Sequence, residues 1–258
     1  IHAATGAFTH VATLVSPAKS RVGRHPETNL LADDLGYLWG TTSYGGVKDE
    51  GAVFKVNTTT GEVLPVVTFT DYDGAAPGVG PRGHLMADGA GGAIGSCGSG
   101  GQGWLGTLYR VDFQTGAYTL LKDISELVTP NEGSQPQGGL VEGSDGWLWG
   151  VTTNNGTHHC GTVFKFDPVT HALVTIVNFT GMSGDHRGRS PTGSLIYDGQ
   201  GYLWGTTRED GLGNLGTLFK IHEQSGVLTT VVDFGANGIK TRGGTRAELE
   251  PDGKGWLW

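Results

Sequence analysis

The chain has little of what usually fixes a function at first reading. Only two of its 258 residues are cysteines, too few to reveal a redox compartment. No apolar run approaches the length of a membrane span, so membrane insertion has no support. There is no signal peptide, which a processed or trimmed chain would lack in any case. No stretch keeps a 3.6-residue period, which leaves no room for substantial helix. Basic charge is in deficit: 17 Lys and Arg against 25 Asp and Glu give a formal charge of −8. That argues against nucleic acid as the partner. Gly-x-Ser-x-Gly elbows, phosphate loops and zinc motifs are absent, so no cofactor or metal is expected and enzyme status stays open.

What the chain has is glycine, 47 residues spread over turns, and a phrase that returns every 55 residues. Gly-Tyr-Leu-Trp-Gly-Thr-Thr begins at Gly36 and again at Gly201, with Gly-Trp-Leu-Trp-Gly-Val-Thr at Gly146. A degraded copy starts at Gly91, and the sequence stops inside a fifth at Gly255. The anchors are Trp39, Ile94, Trp149, Trp204 and Trp258, with Leu30, Leu85, Leu140, Leu195 and Leu249 nine residues ahead of them.

Each repeat reads as four strands. A short run after the leucine meets an Asp-Gly turn, a hairpin signal, and then the aromatic phrase. A third run (Gly-Ala-Val-Phe-Lys-Val at Gly51, Gly-Thr-Leu-Tyr-Arg-Val at Gly106) leads through a Thr-Gly turn to a fourth. Val, Thr, Phe and Tyr dominate, as strands prefer. Four antiparallel strands repeated around a circle make an all-β fold, a β-propeller, in one domain of residues 1–258. The repeats run about 17–70, 71–125, 126–180 and 181–235, with 236–258 joining 1–16 in a last blade shared by both termini. By repeat arithmetic that blade is short of about 16 residues. Two readings stay open: a five-bladed ring with one thin blade, or an excerpt of a longer chain.

Pro-x-Gly-x-Leu, Asp-Gly-x-Gly, Leu-Trp-Gly-Thr-Thr, Gly-Thr-Val-Phe-Lys and Val-Val-x-Phe, in that order, resemble the GloVer (choice-of-anchor) tandem repeats of extracellular bacterial proteins. The resemblance spans the whole chain and implies secretion or surface display. It brings no established activity and no catalytic residues. Asn57-Thr58-Thr59, Asn155-Gly156-Thr157 and Asn178-Phe179-Thr180 fit the N-glycosylation pattern, weak evidence for the same compartment.

The turns between strands one and two, and three and four, are nearly alike in every repeat, as identical turns demand. The loops on the other face differ each time, which is where binding residues sit on a regular frame. Just before the leucines of these loops stand Arg24 with His25, Arg82 with His84, Gln137, Arg187 with Arg189, and Arg246. They are basic islands in an acidic chain, and arginine forks suit carboxylates, sulfates or phosphates. Convergence of these groups on one mouth would make a single central site for an anionic polysaccharide, with Tyr44, Trp104 and Tyr72 as stacking rings. The bland alternative is solvated loop charges paired with neighbours such as Glu27, Asp185 and Glu248.

Function therefore reads as an extracellular or cell-surface, lectin-like module that binds an acidic glycan. A uronate polysaccharide lyase, using Arg82 with His84 or Arg24 with His25, and a structural repeat without ligand are the alternatives. Trp39, Trp149 and Trp204 are expected between blades rather than as sugar platforms. Lys55, Arg110, Lys165 and Lys220 are expected to be structural, and Cys97 and Cys160 to be either a disulfide or two free thiols.

Overall fold

A computed structural model describes residues 22–125 and 131–236. Those residues fold as a β-propeller, with four antiparallel sheets in sequence order. The first blade holds β1 (Leu31–Ala32), β2 (Tyr37–Thr42), β3 (Ala52–Asn57) and β4 (Val63–Thr68). The second holds β5 (Val79–Pro81), β6 (Met86–Ala87), β7 (Gly92–Ser99), β8 (Thr107–Asp112) and β9 (Tyr118–Asp123). The third holds β10 (Val141–Glu142), β11 (Leu148–Thr152), β12 (Thr162–Phe166) and β13 (Leu173–Asn178). The fourth holds β14 (Ile196–Tyr197), β15 (Tyr202–Thr207), β16 (Thr217–His222) and β17 (Leu228–Asp233). The expected blade shared by both termini, and Arg246 with it, lies outside the described residues.

The repeated phrase is explained by how one blade packs internally. A side chain at Gly150 would place its Cβ 2.5 Å from the Phe164 ring and 2.7 Å from Leu140. Gly40, Gly95 and Gly205 are crossed in the same way by the aromatic ring of the third strand and the leucine of the first. Leucine, Trp-Gly and Val-Phe are therefore one contact, written three times along each repeat.

The turn aspartate and the tryptophan form a second unit. Asp33 accepts the Leu35 and Tyr37 N–H groups through one oxygen and the Trp39 indole N–H through the other, at 2.7 Å. Asp198 does the same for Gln200, Tyr202 and Trp204. Lys55 then lies over the Tyr37 and Trp39 rings, and Lys220 over Tyr202 and Trp204. Where the second repeat has Ile94 for tryptophan, Asp88 instead takes the Arg110 guanidinium, and where the third has Gly143 for aspartate, Lys165 still covers Trp147. The periodic cations are clamps on the aromatic strand.

The core lies between blades. Trp39 meets Phe113 of the second blade with ring centroids 5.0 Å apart. One buried cluster joins blades one and two, another two and three, another three and four. Trp39 and Trp149 are fully buried, whereas Trp204 in the last described blade is only partly so. Leu85, Leu140 and Leu195 are buried, but Leu30 is 51% exposed. Cys97 and Cys160 are buried free thiols, so the disulfide alternative is not the one observed. Cys97 pairs in register with Thr107, where the third blade pairs Thr152 with Thr162 and the fourth Thr207 with Thr217. Its thiol takes a threonine's place.

Candidate functional site

The innermost strand of each of the four described blades is interrupted at the same point. A single bridge (Arg24 to Tyr44, Ser134 to Asn154, Arg189 to Glu209) or the short β5 opens it. The next residue turns left-handed: His25 at φ 59°, Gly80 at 60°, Gln135 at 59°, Ser190 at 54°. A proline follows in each case: Pro26, Pro81, Pro136 and Pro191. Gly51 would meet Pro81, Gly106 Pro136 and Gly161 Pro191, so each proline seats its blade on the third strand of the one before. The residue after the proline is Glu27, Arg82, Gln137 or Thr192, four different groups on one repeated backbone.

Two of those four line a cleft of about 340 Å³ on the variable-loop face. Ser43, Tyr44, Asp49 and Glu50 form its wall from the first blade; Val79, Gly80, Arg82, Gly98 and Ser99 come from the second; Gln135 and Gln137 come from the third. Arg82 is the cation of the cleft, and its ion-pair partner among the described residues is Glu27 at a loose 4.0 Å. Gln135 holds the third wall by accepting the Asn154 amide at 2.9 Å. Burial, then Asp71 and Asp49, raises the Glu50 carboxyl above its ordinary value, and Lys48 only partly offsets this.

Of the sequence candidates, Tyr44, Arg82 and Gln137 come together here. Arg24, His25, His84, Arg187 and Arg189 do not reach this cleft. Arg24 pairs with Asp49 at 2.7 Å and lies over the Tyr44 ring, with His25 against the ring edge. Arg187 pairs with Asp233 at 3.1 Å, in the fourth blade. Arg189 is exposed at the bridge to Glu209. His84 packs against Gly139 and shares a 3.1 Å hydrogen bond with Ser194, two blades away. Ser194 in turn accepts the Gly139 N–H at 2.8 Å, so these three residues tie the second, third and fourth blades together. Arg24, Arg82 and Arg187 thus sit in separate local pairs with Asp49, Glu27 and Asp233 rather than together at one mouth. The carboxylates that reading missed, Asp49 and Glu50, sit in the loop after the aromatic phrase; their opposition to the basic islands required the register between blades.

A second cleft, about 570 Å³, lies on the opposite face between the first two blades. Glycine and alanine form much of it; of its carboxylates, Asp33 is engaged by Trp39 and Asp112 by Thr115, while Asp34 is exposed. Among the described residues no group of three or more His, Cys, Asp or Glu could hold a metal, and no helix is long and apolar enough to cross a membrane.

Similarity to solved structures is confined to the fold. The chain superposes on the extracellular domain of a one-component system from Bacteroides thetaiotaomicron with a TM-score of 0.52 at 14% identity, covering 80% of this chain and 22% of that one. A structural-genomics protein of unknown function from the same organism gives 0.51 at 15%, covering 81% and 44%. A chain of a nidogen–laminin complex gives 0.50 at 12%, covering 76% and 60%. The chain thus spans less than two thirds of each. No curated protein matches it. In sequence, the Gloeobacter/Verrucomicrobia repeat matches residues 1–187 and again 78–258, two matches that together span the entire length. The chain belongs to the Gloeobacter/Verrucomicrobia repeat family.

Proposed function

We propose that this propeller is an extracellular binding module that holds an acidic glycan in the loop-face cleft. The observation that carries the reading is the placement of Arg82, a half-buried guanidinium with one loose ion pair, among Tyr44, Gln137 and two serines from three blades. A sugar carboxylate or sulfate meets the arginine fork, while amides, serine hydroxyls and the Asp49 and Glu50 carboxylates suit the hydroxyl rim. Extracellular placement is supported by the neighbour that is itself an extracellular domain. His84, tied to Ser194 and Gly139, does not line the cleft, so no described pair with Arg82 recommends the lyase reading.

Polygalacturonate binding, measured by calorimetry at rising salt, tests this. Affinity is expected to fall with salt as the charge attraction is screened, and Arg82→Glu to abolish binding without changing the far-ultraviolet spectrum. Binding to neutral glycans alone, indifferent to salt, would refute it; silence across a glycan array would favour a structural repeat.

A further inference from the structure

We propose that Tyr72 and Trp104 form an aromatic shelf carrying the sugar rings that follow the acidic residue held at Arg82. The ligand is then an extended polysaccharide chain rather than a single sugar. This rests on the reading above and specifies its ligand.

Tyr72 is 47% exposed and Trp104 53%, yet the two rings are ordered against each other, centroids 5.6 Å apart and planes 34° from parallel. They come from different blades: Tyr72 follows β4, and Trp104 lies in the loop between β7 and β8. Neither ring is needed for the buried clusters. Trp104 also sits where the repeat does not favour it. Its φ of 58° is left-handed, and the corresponding residues, Asp49, His159 and Asn214, share that conformation at 68°, 55° and 55°. Asp, His and Asn are the side chains that tolerate this region, whereas a bulky ring there is strained. At Asp49 the turn is used locally, the carboxylate accepting the Gly45 N–H. At Trp104 the same turn presents an indole to solvent instead.

The shelf begins where the cleft ends. Ser99 lines the cleft, and its hydroxyl donates to the Trp104 carbonyl at 3.1 Å. On the other side Asp71, next to Tyr72, is paired through its backbone with Gly78, next to the cleft residue Val79. A pyranose has an apolar C–H face and a hydroxyl rim, so one chain satisfies both parts: rim and charge in the cleft, ring faces on the aromatics. Two side chains are far too small a patch for a protein partner, which needs roughly 800 Å² per side.

Galacturonate oligomers of increasing length, from the monomer upward, are titrated by calorimetry and tryptophan fluorescence. Affinity is expected to rise with length until the shelf is covered, with fluorescence quenched only by the longer oligomers. Trp104→Asn installs the residue that occupies the same turn at Asn214, so the fold is kept. It should weaken long oligomers by about tenfold and leave the shortest unchanged. Arg82→Ala should weaken every length. Equal affinity of wild type and Trp104→Asn for long oligomers, or an equal loss at all lengths, would overturn the shelf while leaving the cleft standing. Failure of wild type to bind any length would overturn both.

Discussion

The third blade shows how single residues compensate within this repeat. Its turn carries Gly143 where the others have Asp33, Asp88 and Asp198, and the Trp149 indole N–H is left without a partner among the described residues. Glu223 of the fourth blade, at the position that holds Phe113 in the second, occupies the space instead. Its carboxylate takes the Ser144 N–H at 2.5 Å and the Ser144 hydroxyl at 2.8 Å. A Cβ at Gly143 would strike that carboxylate. Gly143→Asp alone should therefore destabilise by like-charge contact, while the same change with Glu223→Phe restores the arrangement around Trp39. A double-mutant cycle in urea is expected to show a coupling of about 1–3 kcal/mol in favour of the pair. Additive effects would mean that the two positions do not share the site. The aspartate–tryptophan spacing was legible in sequence; the exchange between blades was not, because it joins residues 79 apart.

At the level of elements, the leucine, Trp-Gly and Val-Phe positions could be read as strands because one packing contact repeats them. Gly150→Ala tests that contact: overpacking against Phe164 and Leu140 should cost about 1–3 kcal/mol, read as a lower urea midpoint with an unchanged slope. A neutral effect would show that the blade has room there. Trp149→Ala, from a fully buried site, should cost about 3–5 kcal/mol, and Trp204→Ala less because that ring is partly exposed. The first strand was less legible. Its left-handed break falls on His25, Gln135 and Ser190 as well as Gly80, and three of those four residues carry no glycine signal. That break places Arg82 and Gln137 in the cleft, a juxtaposition that the sequence pattern does not show. Charge pairing depended on contacts distant in sequence, Arg24 on Asp49 and Arg187 on Asp233, as did the hydrogen bond of His84 with Ser194.

Among the described residues, the turn aspartates and the cleft residue Glu50 are shifted in opposite directions. Burial alone would raise Asp33, Asp88 and Asp198, but the indole or guanidinium and two backbone N–H groups bound to each keep them below the ordinary 3.8. A depressed carboxyl contributes stability that is present above its unfolded value and is lost as pH falls through the folded one, so these turns predict a loss of stability as pH falls below about 4. Glu50 has the opposite sign. Its value lies above the ordinary 4.5, chiefly through burial, then Asp71 and Asp49. Ionisation of Glu50 therefore opposes folding at neutral pH and ceases to do so once both states are protonated. Glu50→Gln should raise the denaturation midpoint at pH 7, with the gain shrinking to nothing on acidification through the raised value and the ordinary one. The same substitution removes a hydrogen-bond acceptor from the cleft, so the stabilised variant should bind galacturonate oligomers with altered affinity. A gain in stability that persists at pH 3 would show that the Glu50 charge is not its source.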